Sequence, residues 1–204
     1  GGDGGAISHD ATGTLNINGS TFSGNLSASA GGAITVLDAG TLNLTNCTFN
    51  GNTALNGGGL YNYLGTALTL LNCTLSGNTA TGSAGGFGTG GGTVNLKNTL
   101  IAGNTASTNP DVQGAFTSQG NNLIGNTTGS TGFGGTDLLN VSALLGTLAN
   151  YGGTTQTIPL LPGSPAINAG TATGAPSADQ RGIARVGTTD IGAFESRGFT
   201  LAIA

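Results

Sequence analysis

Residues 41–52 read TLNLTNCTFNGN, and this stretch returns three more times along the chain. The other copies are TLNINGSTFSGN at residues 14–25, ALTLLNCTLSGN at 67–78 and TVNLKNTLIAGN at 93–104. The glycine before the last asparagine is Gly24, Gly51, Gly77 or Gly103, so successive copies lie 27, 26 and 26 residues apart. A repeat of this regularity is typical of a stacked solenoid architecture.

Within each copy, apolar and polar residues alternate with a period of two. The apolar columns contain Leu15, Leu42, Leu68 and Val94, and two residues later Ile17, Leu44, Leu70 and Leu96. This alternation predicts a half-buried β-strand and not a helix. A coil of 26 residues has room for about three short strands. Because one coil cannot bury its apolar side alone, the coils are expected to stack about 4.8 Å apart.

The sequence therefore predicts an all-β fold, a right-handed parallel β-helix of about five or more coils with an irregular C-terminal cap. Equivalent asparagines in such a stack can hydrogen bond from coil to coil. Two ladders are predicted, one of Asn25, Asn52, Asn78 and Asn104 and one of Asn46, Asn72 and Asn98. The corner glycines permit positive φ. A β-propeller blade of about 40 residues and a leucine-rich repeat fit the interval less well.

Composition limits the classes of function. Glycine makes up 41 of 204 residues, charged residues 6% and apolar residues 36%. This fits neither collagen, with glycine at every third position, nor a charged disordered chain. Four basic residues cannot form the patch that nucleic acid or an anionic membrane requires. No segment suited to membrane insertion and no signal sequence are present, so we expect that a signal was removed or that the chain is an excised piece.

Two cysteines, Cys47 and Cys73, occupy the same column of adjacent coils. Stacking would place their Cα atoms about 4.8 Å apart, which is within disulfide range. Side chains in register on parallel strands point the same way, however, and this strains such a bridge. Two reduced, buried thiols are the preferred interpretation, and a disulfide between coils is the alternative.

Two sets of motifs carry a family resemblance. Residues 31–34 read GGAI and residues 49–52 read FNGN, and this GGAI/FxxN pair also occurs at 4–7 and 22–25. The pair resembles the repeats of chlamydial polymorphic outer-membrane proteins and of related bacterial surface β-helices. Further along stand LLGTLANYGG at 144–153, LLPGSPAINAG at 160–170, DQRG at 179–182 and DIGAFE at 190–195.

These later motifs resemble the C-terminal module of bacterial choice-of-anchor Q proteins, over about residues 121–195. In that family the module ends a β-helix on exported proteins. The resemblance implies a bacterial, exported, surface-associated protein, and it implies no reaction.

The period breaks down after the fourth copy. We expect coils over residues 1–126, an irregular cap over 127–195 and a terminal strand or linker over 196–204. Four of the five prolines lie in the cap, where each removes a backbone donor. Arg181 or Arg185 is expected to pair with Asp179 or Asp190 and to pin the cap over the last coil. An acid–base or metal site is the alternative interpretation of these four charges.

The end of the chain has an apolar residue at every second position. This pattern predicts a strand that could pair with a neighbouring molecule. The apolar residues are Phe199, Leu201 and Ile203.

Candidate catalytic residues are sparse in the repeats. A polysaccharide lyase needs a base beside carboxylates that bind Ca²⁺, and a hydrolase needs two or three carboxylates about 5 to 9.5 Å apart. Asp10 and Asp38, with His9 beside them, are weak candidates for metal binding across adjacent coils. Both aspartates lie in turn-like sequences, where Asp commonly caps its own backbone, and His9 is expected to be a solvated turn residue. No catalytic residue and no cofactor are predicted.

The predicted function is that of a non-enzymatic structural protein at the cell surface or outside the cell: a stalk, an adhesin or a filament subunit. Nothing before Gly1 resembles a cap, so the first coil is expected to present unpaired strand edges. Preceding coils or another subunit would cover it. Expected partners are further copies of the chain, through coil ends or the C-terminal strand, or a host or cell-surface glycan or protein. A carbohydrate-binding or polysaccharide-cleaving β-helix is the alternative.

Overall fold

The chain folds into a parallel β-solenoid in the computed structural model, which describes residues 4–38, 40–63 and 67–197. No helix among these residues is long and apolar enough to cross a membrane. The first ten strands are β1 (Ile7–His9), β2 (Thr14–Asn18), β3 (Thr21–Ser23), β4 (Ile34–Val36), β5 (Thr41–Thr45), β6 (Thr48–Asn50), β7 (Thr53–Asn56), β8 (Leu60–Asn62), β9 (Ala67–Leu71) and β10 (Thr74–Ser76). The next ten are β11 (Thr79–Ser83), β12 (Phe87–Thr89), β13 (Thr93–Lys97), β14 (Leu100–Ile101), β15 (Thr105–Thr108), β16 (Val112–Ala115), β17 (Thr117–Ser118), β18 (Leu123–Ile124), β19 (Ser130–Thr131) and β20 (Leu138–Leu139).

The strands stack into four parallel sheets, which we call walls 1 to 4 in the order in which a coil visits them. Wall 1 contains β1, β4, β8, β12, β16 and β19, and wall 2 contains β2, β5, β9, β13 and β17. Wall 3 contains β3, β6, β10, β14, β18 and β20, and wall 4 contains β7, β11 and β15. A regular coil thus has four strands where about three were expected. Strands pair with their equivalents in the next coil, which confirms the predicted fold class.

The register of wall 2 follows the sequence columns. Leu42 lies opposite Leu15 on one side and Leu68 on the other, and Asn43 lies opposite Asn16. Leu42 is completely buried, whereas Asn43 on the outer face is half-buried. The predicted alternation of inward apolar and outward polar residues is therefore confirmed.

The core is a column of stacked apolar side chains inside the solenoid. Phe22 stacks on Phe49 with ring centroids 4.8 Å apart, which matches the usual spacing between paired strands. Burying one such side chain contributes about 1.5–3 kcal/mol, so the apolar column stabilises the stack together with the backbone hydrogen bonds. The largest completely buried side chains are Phe49, Phe87, Ile34, Leu42, Leu44, Leu60, Leu68, Leu70, Leu75, Leu96, Leu100 and Ile101.

The solenoid makes about four turns, slightly fewer than predicted. The coils become shorter after β15. In the described chain, β18 of wall 3 is followed by β19 of wall 1, with no strand in wall 4 between them. The strands β19 and β20 still pair in parallel with β16 and β18, so the predicted coil boundary after residue 126 is too early. Phe133 stacks on Phe116 at 5.3 Å and covers this end of the core.

Residues 141–197, which we call the strap, lie along the side of the solenoid and not over its last coil as predicted. In the first coil Gly19 O accepts a hydrogen bond from Thr155 Oγ1 at 3.1 Å. In the fourth coil Asn98 Nδ2 donates to Thr171 O at 2.8 Å. The strap follows the corner between walls 2 and 3, because the side chains and carbonyl groups there satisfy its irregular backbone.

A second, smaller core joins the strap to the last coils. Because apolar side chains of the strap pack on wall 3, the strap is part of the folded unit and not a loose extension. The buried members of this second core are Leu100, Ala102, Leu123, Ala143, Leu160, Ala166 and Ile191.

Candidate functional site

A ladder of asparagine side chains runs along the corner between walls 3 and 4, as predicted. Asn25, Asn52 and Asn78 each donate through Nδ2 to the Oδ1 of the next ladder residue, at 2.8, 2.8 and 2.9 Å. Their backbone N–H groups donate to the same oxygens. The four glycines before the ladder residues have φ between 66° and 73°. This left-handed conformation is unfavourable for a residue with a side chain.

The ladder ends on Asp111, whose Oδ1 accepts Asn104 Nδ2 at 2.9 Å. Asp111 is 4% exposed. Burial raises the pKa of its carboxyl group, while hydrogen bonds from Asn104 and the Asn126 backbone act in the opposite direction. The same arrangement of an asparagine and a carboxylate occurs at a second corner. There Asn122 donates its backbone N–H and its Nδ2 to Asp137 Oδ1 at 2.9 and 3.0 Å. An acceptor-only carboxylate thus ends the run of amide donors at both places.

The second predicted ladder, at Asn46, Asn72 and Asn98, forms only in part. Asn98 Nδ2 lies 3.4 Å from Asn72 Oδ1. The stronger contacts go to the strap, from Asn46 Nδ2 to Ala178 O at 2.9 Å and from Asn98 Nδ2 to Thr171 O at 2.8 Å. The three asparagines have φ between 48° and 50°, which asparagine tolerates better than most residues. This corner therefore binds the strap more than it stacks on itself.

The strap buries a pair of charges where it crosses the first coils. Arg181 Nη2 and Nε both donate to Asp179 Oδ2, at 2.6 and 2.9 Å. The ring of Phe194 lies 3.6 Å from the guanidinium carbon of Arg181. The Asp179 side chain is completely buried and that of Arg181 is 7% exposed. Removing either partner would leave an uncompensated buried charge.

The pair of Arg181 and Asp179 is one of the predicted pairings. Arg185, in contrast, pairs with Glu195, so the predicted role of Asp190 in an ion pair is wrong. Arg185 Nη1 lies 2.9 Å from Glu195 Oε2, and its Nη2 donates to Asn46 Oδ1 at 3.1 Å.

Asp190 is completely buried and accepts two backbone N–H groups of the strap instead. Neither ion pair of the described residues includes Asp190. The backbone N–H groups of Asn168 and Ser196 donate to the two oxygens of Asp190, so the carboxylate has partners without an arginine.

The structure places Asp10 and Asp38 on the surface and His9 inside. His9 is 8% exposed at the end of β1, so the prediction of a solvated turn residue is wrong. Its ring packs against Gly40, where an added Cβ would lie 2.6 Å from His9 Nε2. Among the described residues, no group of three or more His, Cys, Asp or Glu side chains could hold a metal ion.

Cys47 and Cys73 are completely buried and free of a disulfide. Cys47 Sγ donates to Thr45 O at 3.2 Å, and Cys73 Sγ lies 3.5 Å from Leu44 O and from Leu71 O. Burial raises the pKa of the Cys73 thiol well above its ordinary value. The pair therefore belongs to the packed core.

The predicted interface strand of Phe199, Leu201 and Ile203 lies outside the described residues.

The first coil has an open edge in the described part of the chain. Alternate residues of a parallel strand bond to opposite neighbours. Thr41 N donates to Gly13 O, and Gly19 N donates to Thr45 O, so the odd-numbered residues of this segment face the second coil. The N–H and C=O groups of the even-numbered residues of β2 face outward, where the described chain supplies no further strand.

A groove of about 610 Å³ lies beside Asp111, between the Asn-ladder corner and the strap. Leu144, Leu145 and Leu161 line its apolar side, and Asp111 and Gly125 contribute to its floor. The described lining contains one carboxylate and no basic residue. Such a groove is suited to a ligand with an apolar body and a cationic or hydrogen-bond-donating group.

The described residues thus present two candidate surfaces, the open edge of the first coil and the groove beside Asp111. No family model, curated protein or solved structure matches the chain. The geometry of the two surfaces therefore carries the functional argument.

Sequence reasoning missed the roles of three residues. Asp111 was not among the predicted site residues, because nothing in the sequence around it shows that it accepts hydrogen bonds from Asn104. Glu195 ends the DIGAFE motif among the charges of the cap, but it was not predicted as the partner of Arg185. Gln180 in the DQRG motif joins the strap to the first two coils, since it donates to Thr21 Oγ1 at 2.8 Å and accepts from Thr48 Oγ1 at 2.5 Å. The motif itself was the available signal for Gln180.

Proposed function

We propose that the protein is a non-enzymatic, exported structural module of a cell surface, which serves as a stalk, adhesin or filament subunit and associates through its first coil. The observation that carries this proposal is the outer edge of β1, β2 and β3, which pairs with no further strand in the described part of the chain. An edge with free N–H and C=O groups is a template for pairing with another strand. The apolar residues beside it would gain burial in the same step.

The exposure of the core supports the same surface. Leu15 and Ile17 are half-buried in the first coil, whereas Leu42 and Leu44, their equivalents in the second coil, are completely buried. A strand laid against β2 would complete the burial of the first pair. At the opposite end of the core Phe133 stacks on Phe116, and the proposal concerns the first coil.

The build of the solenoid fits a load-bearing role. The Asn ladder connects the first four coils side chain to side chain, and the strap crosses the same coils on another corner. A solenoid whose coils touch only their neighbours opens easily at its ends. The Asn ladder and the strap both run along the stack and oppose this opening, as a stiff stalk requires.

Sedimentation velocity tests the proposed association. The protein is expected to sediment faster as its concentration rises from micromolar to millimolar. Ile17→Lys places an inward-pointing charge on the open edge and should abolish the effect. Leu55→Lys makes the same chemical change at a residue that is 48% exposed on wall 4, and it should associate like the unmodified protein.

A second variant guards against misfolding of Ile17→Lys. The N–H group of Asn16 faces outward, so Asn16→Pro removes a donor that does not face the second coil. It also removes one exposed side-chain contact, from Asn43 Nδ2 to Asn16 Oδ1. Circular dichroism checks the fold of both variants. A monomer at every concentration, or equal loss of association in the Leu55→Lys control, would contradict the proposed role of the first coil.

The carbohydrate-cleaving alternative has its own test. Asp10 and Asp38 are both exposed and are the carboxylates on which that alternative relied. Products released from a panel of uronic-acid polysaccharides, with and without Ca²⁺, measure any turnover. Turnover that disappears in Asp10→Ala or Asp38→Ala would replace the structural proposal with the enzymatic one.

A further inference from the structure

The groove beside Asp111 has one apolar side. Leu144 and Leu161 are 44% and 42% exposed, although large apolar side chains of this kind are usually covered. Leu144 also has a φ of 47°, a left-handed conformation that is costly for a leucine. The strap thus holds two leucines open to solvent on the same side of one groove.

The floor of the groove carries a carboxylate that already accepts hydrogen bonds from Asn104 and from the backbone of Asn126. Asp111 Oδ1 accepts both donors of Asn104 at 2.9 Å. The other oxygen, Oδ2, lies 2.6 Å from the position that a Cβ would take at Gly125. Gly125 has no left-handed φ, so its lack of a side chain is explained by this close approach. Asp111 and Gly125 both line the groove, and a side chain at residue 125 would press on Oδ2.

The charge of the groove is not balanced by the protein. Asp111 is in neither of the two ion pairs of the described residues. The described lining contains no Lys, Arg or His. A carboxylate that is nine-tenths buried gains most from a partner that brings a positive charge and hydrogen-bond donors together. Burial raises the pKa of Asp111, and a bound cation would reverse that effect.

We propose that this groove binds a free primary aliphatic amine, with its ammonium group on Asp111 Oδ2 and its alkyl chain against Leu144 and Leu161. An ammonium group has three donors and no acceptor, which complements an acceptor-only carboxylate. The alkyl chain covers the exposed leucines. The volume of about 610 Å³ lies within the usual range for small-molecule sites. This site does not depend on association through the first coil.

Titration of the ¹⁵N-labelled protein with n-hexylamine, followed by NMR, tests the site. Saturable shifts are expected at the amides of Gly103 and Gly125. The uncharged n-hexanol should bind at least about tenfold more weakly, and hexanoate should not bind. Equal affinity for n-hexylamine and n-hexanol would overturn the role of the carboxylate.

Two aspartate variants form a matched pair. Asp111→Asn should weaken n-hexylamine binding at least about tenfold. Asp137→Asn changes the other carboxylate that ends a polar column, outside the groove lining, and should bind n-hexylamine normally. Unchanged binding by folded Asp111→Asn would refute the proposal.

A third variant keeps the test valid if Asp111→Asn does not fold. Leu161→Lys places a competing ammonium at the exposed rim and should also weaken binding, and normal binding by this variant would count against the site. A lysine side chain carries the same chemistry as a free amine, so N-acetyl-lysine amide is titrated in parallel. This compound stands for a lysine residue within a peptide. If it binds more tightly than n-hexylamine, the ligand is a peptide lysine, and the assignment to a free small amine is overturned.

Discussion

Asp111 Oδ1 lies 2.9 Å from both the backbone nitrogen and the Nδ2 of Asn104. One carboxylate oxygen therefore accepts the two donors that a further coil would otherwise have to satisfy. The Asn ladder below it is directional, because each amide donates toward Asp111 and accepts from the opposite side. The ends of such a ladder are not equivalent, and the carboxylate is needed only at the donating end.

Removing one ladder asparagine should destabilise the protein strongly. Asn78→Ala takes the acceptor from two donors of Asn52 and leaves Asn104 Oδ1 and Phe49 O without the Nδ2 donor. A buried group without a partner costs about 1–3 kcal/mol, so we expect a loss of about 2–4 kcal/mol in urea unfolding. Asn43→Ala removes an exposed amide contact on wall 2 and should cost less than about 1 kcal/mol. Equal losses in the two variants would contradict a special role for the buried ladder.

The carboxyl group of Asp111 should make stability depend on pH. Its pKa is raised in the folded protein, so its stabilising contribution is complete below the ordinary value of 3.8 and is lost as pH rises through the raised pKa. A pKa that is higher by one pH unit in the folded protein than in the unfolded chain corresponds to about 1.4 kcal/mol. The unfolding free energy of the unmodified protein minus that of Asp111→Asn should therefore fall as pH rises from below 3.8, and then level off. A difference that rises with pH would contradict the raised pKa.

Breaking the pair of Arg185 and Glu195 should loosen the strap. Arg185→Leu leaves the completely buried Glu195 without its cation and Asn46 Oδ1 without a donor. Loss of one partner of a buried ion pair typically costs about 3–5 kcal/mol. Limited proteolysis of Arg185→Leu should cut the strap first, and its thermal unfolding should begin at a lower temperature than that of the unmodified protein. Arg197 is exposed, and Arg197→Leu should behave like the unmodified protein.

The two thiols should be unreactive in the folded protein. Cys47 and Cys73 are completely buried, so a reagent in solution reaches neither sulfur in the folded protein. Burial raises the pKa of the Cys73 thiol, whereas the hydrogen bond with Cys73 lowers the pKa of the Cys47 thiol. A disulfide-exchange reagent such as Ellman's reagent should label neither residue before unfolding and both after unfolding in urea. Failure to find two thiols in the unfolded chain would show that they form a disulfide.

Much of the fold could be predicted because each copy of the repeat lies in the same environment as the next. Leu15, Leu42 and Leu68 recur at the coil interval, and stacking is the arrangement that buries all of them together. The Asn25 ladder was predictable for the same reason. The Asn46 column was predicted less well, because its amides bond to the strap, which comes from a distant part of the chain. Periodicity carries no information about such a partner.

The sequence alone determined the coil interval, the inward and outward faces of the strands, the positive-φ corners and the stacking of Cys47 on Cys73. These features depend on residues at equal spacing, so each copy reports on the next. The tertiary structure alone decided the path of the strap, the pairing of Arg185 with Glu195 and the groove beside Asp111. Their partners lie far apart in sequence or outside the repeat, and only packing of the strap against the solenoid brings them within hydrogen-bonding distance.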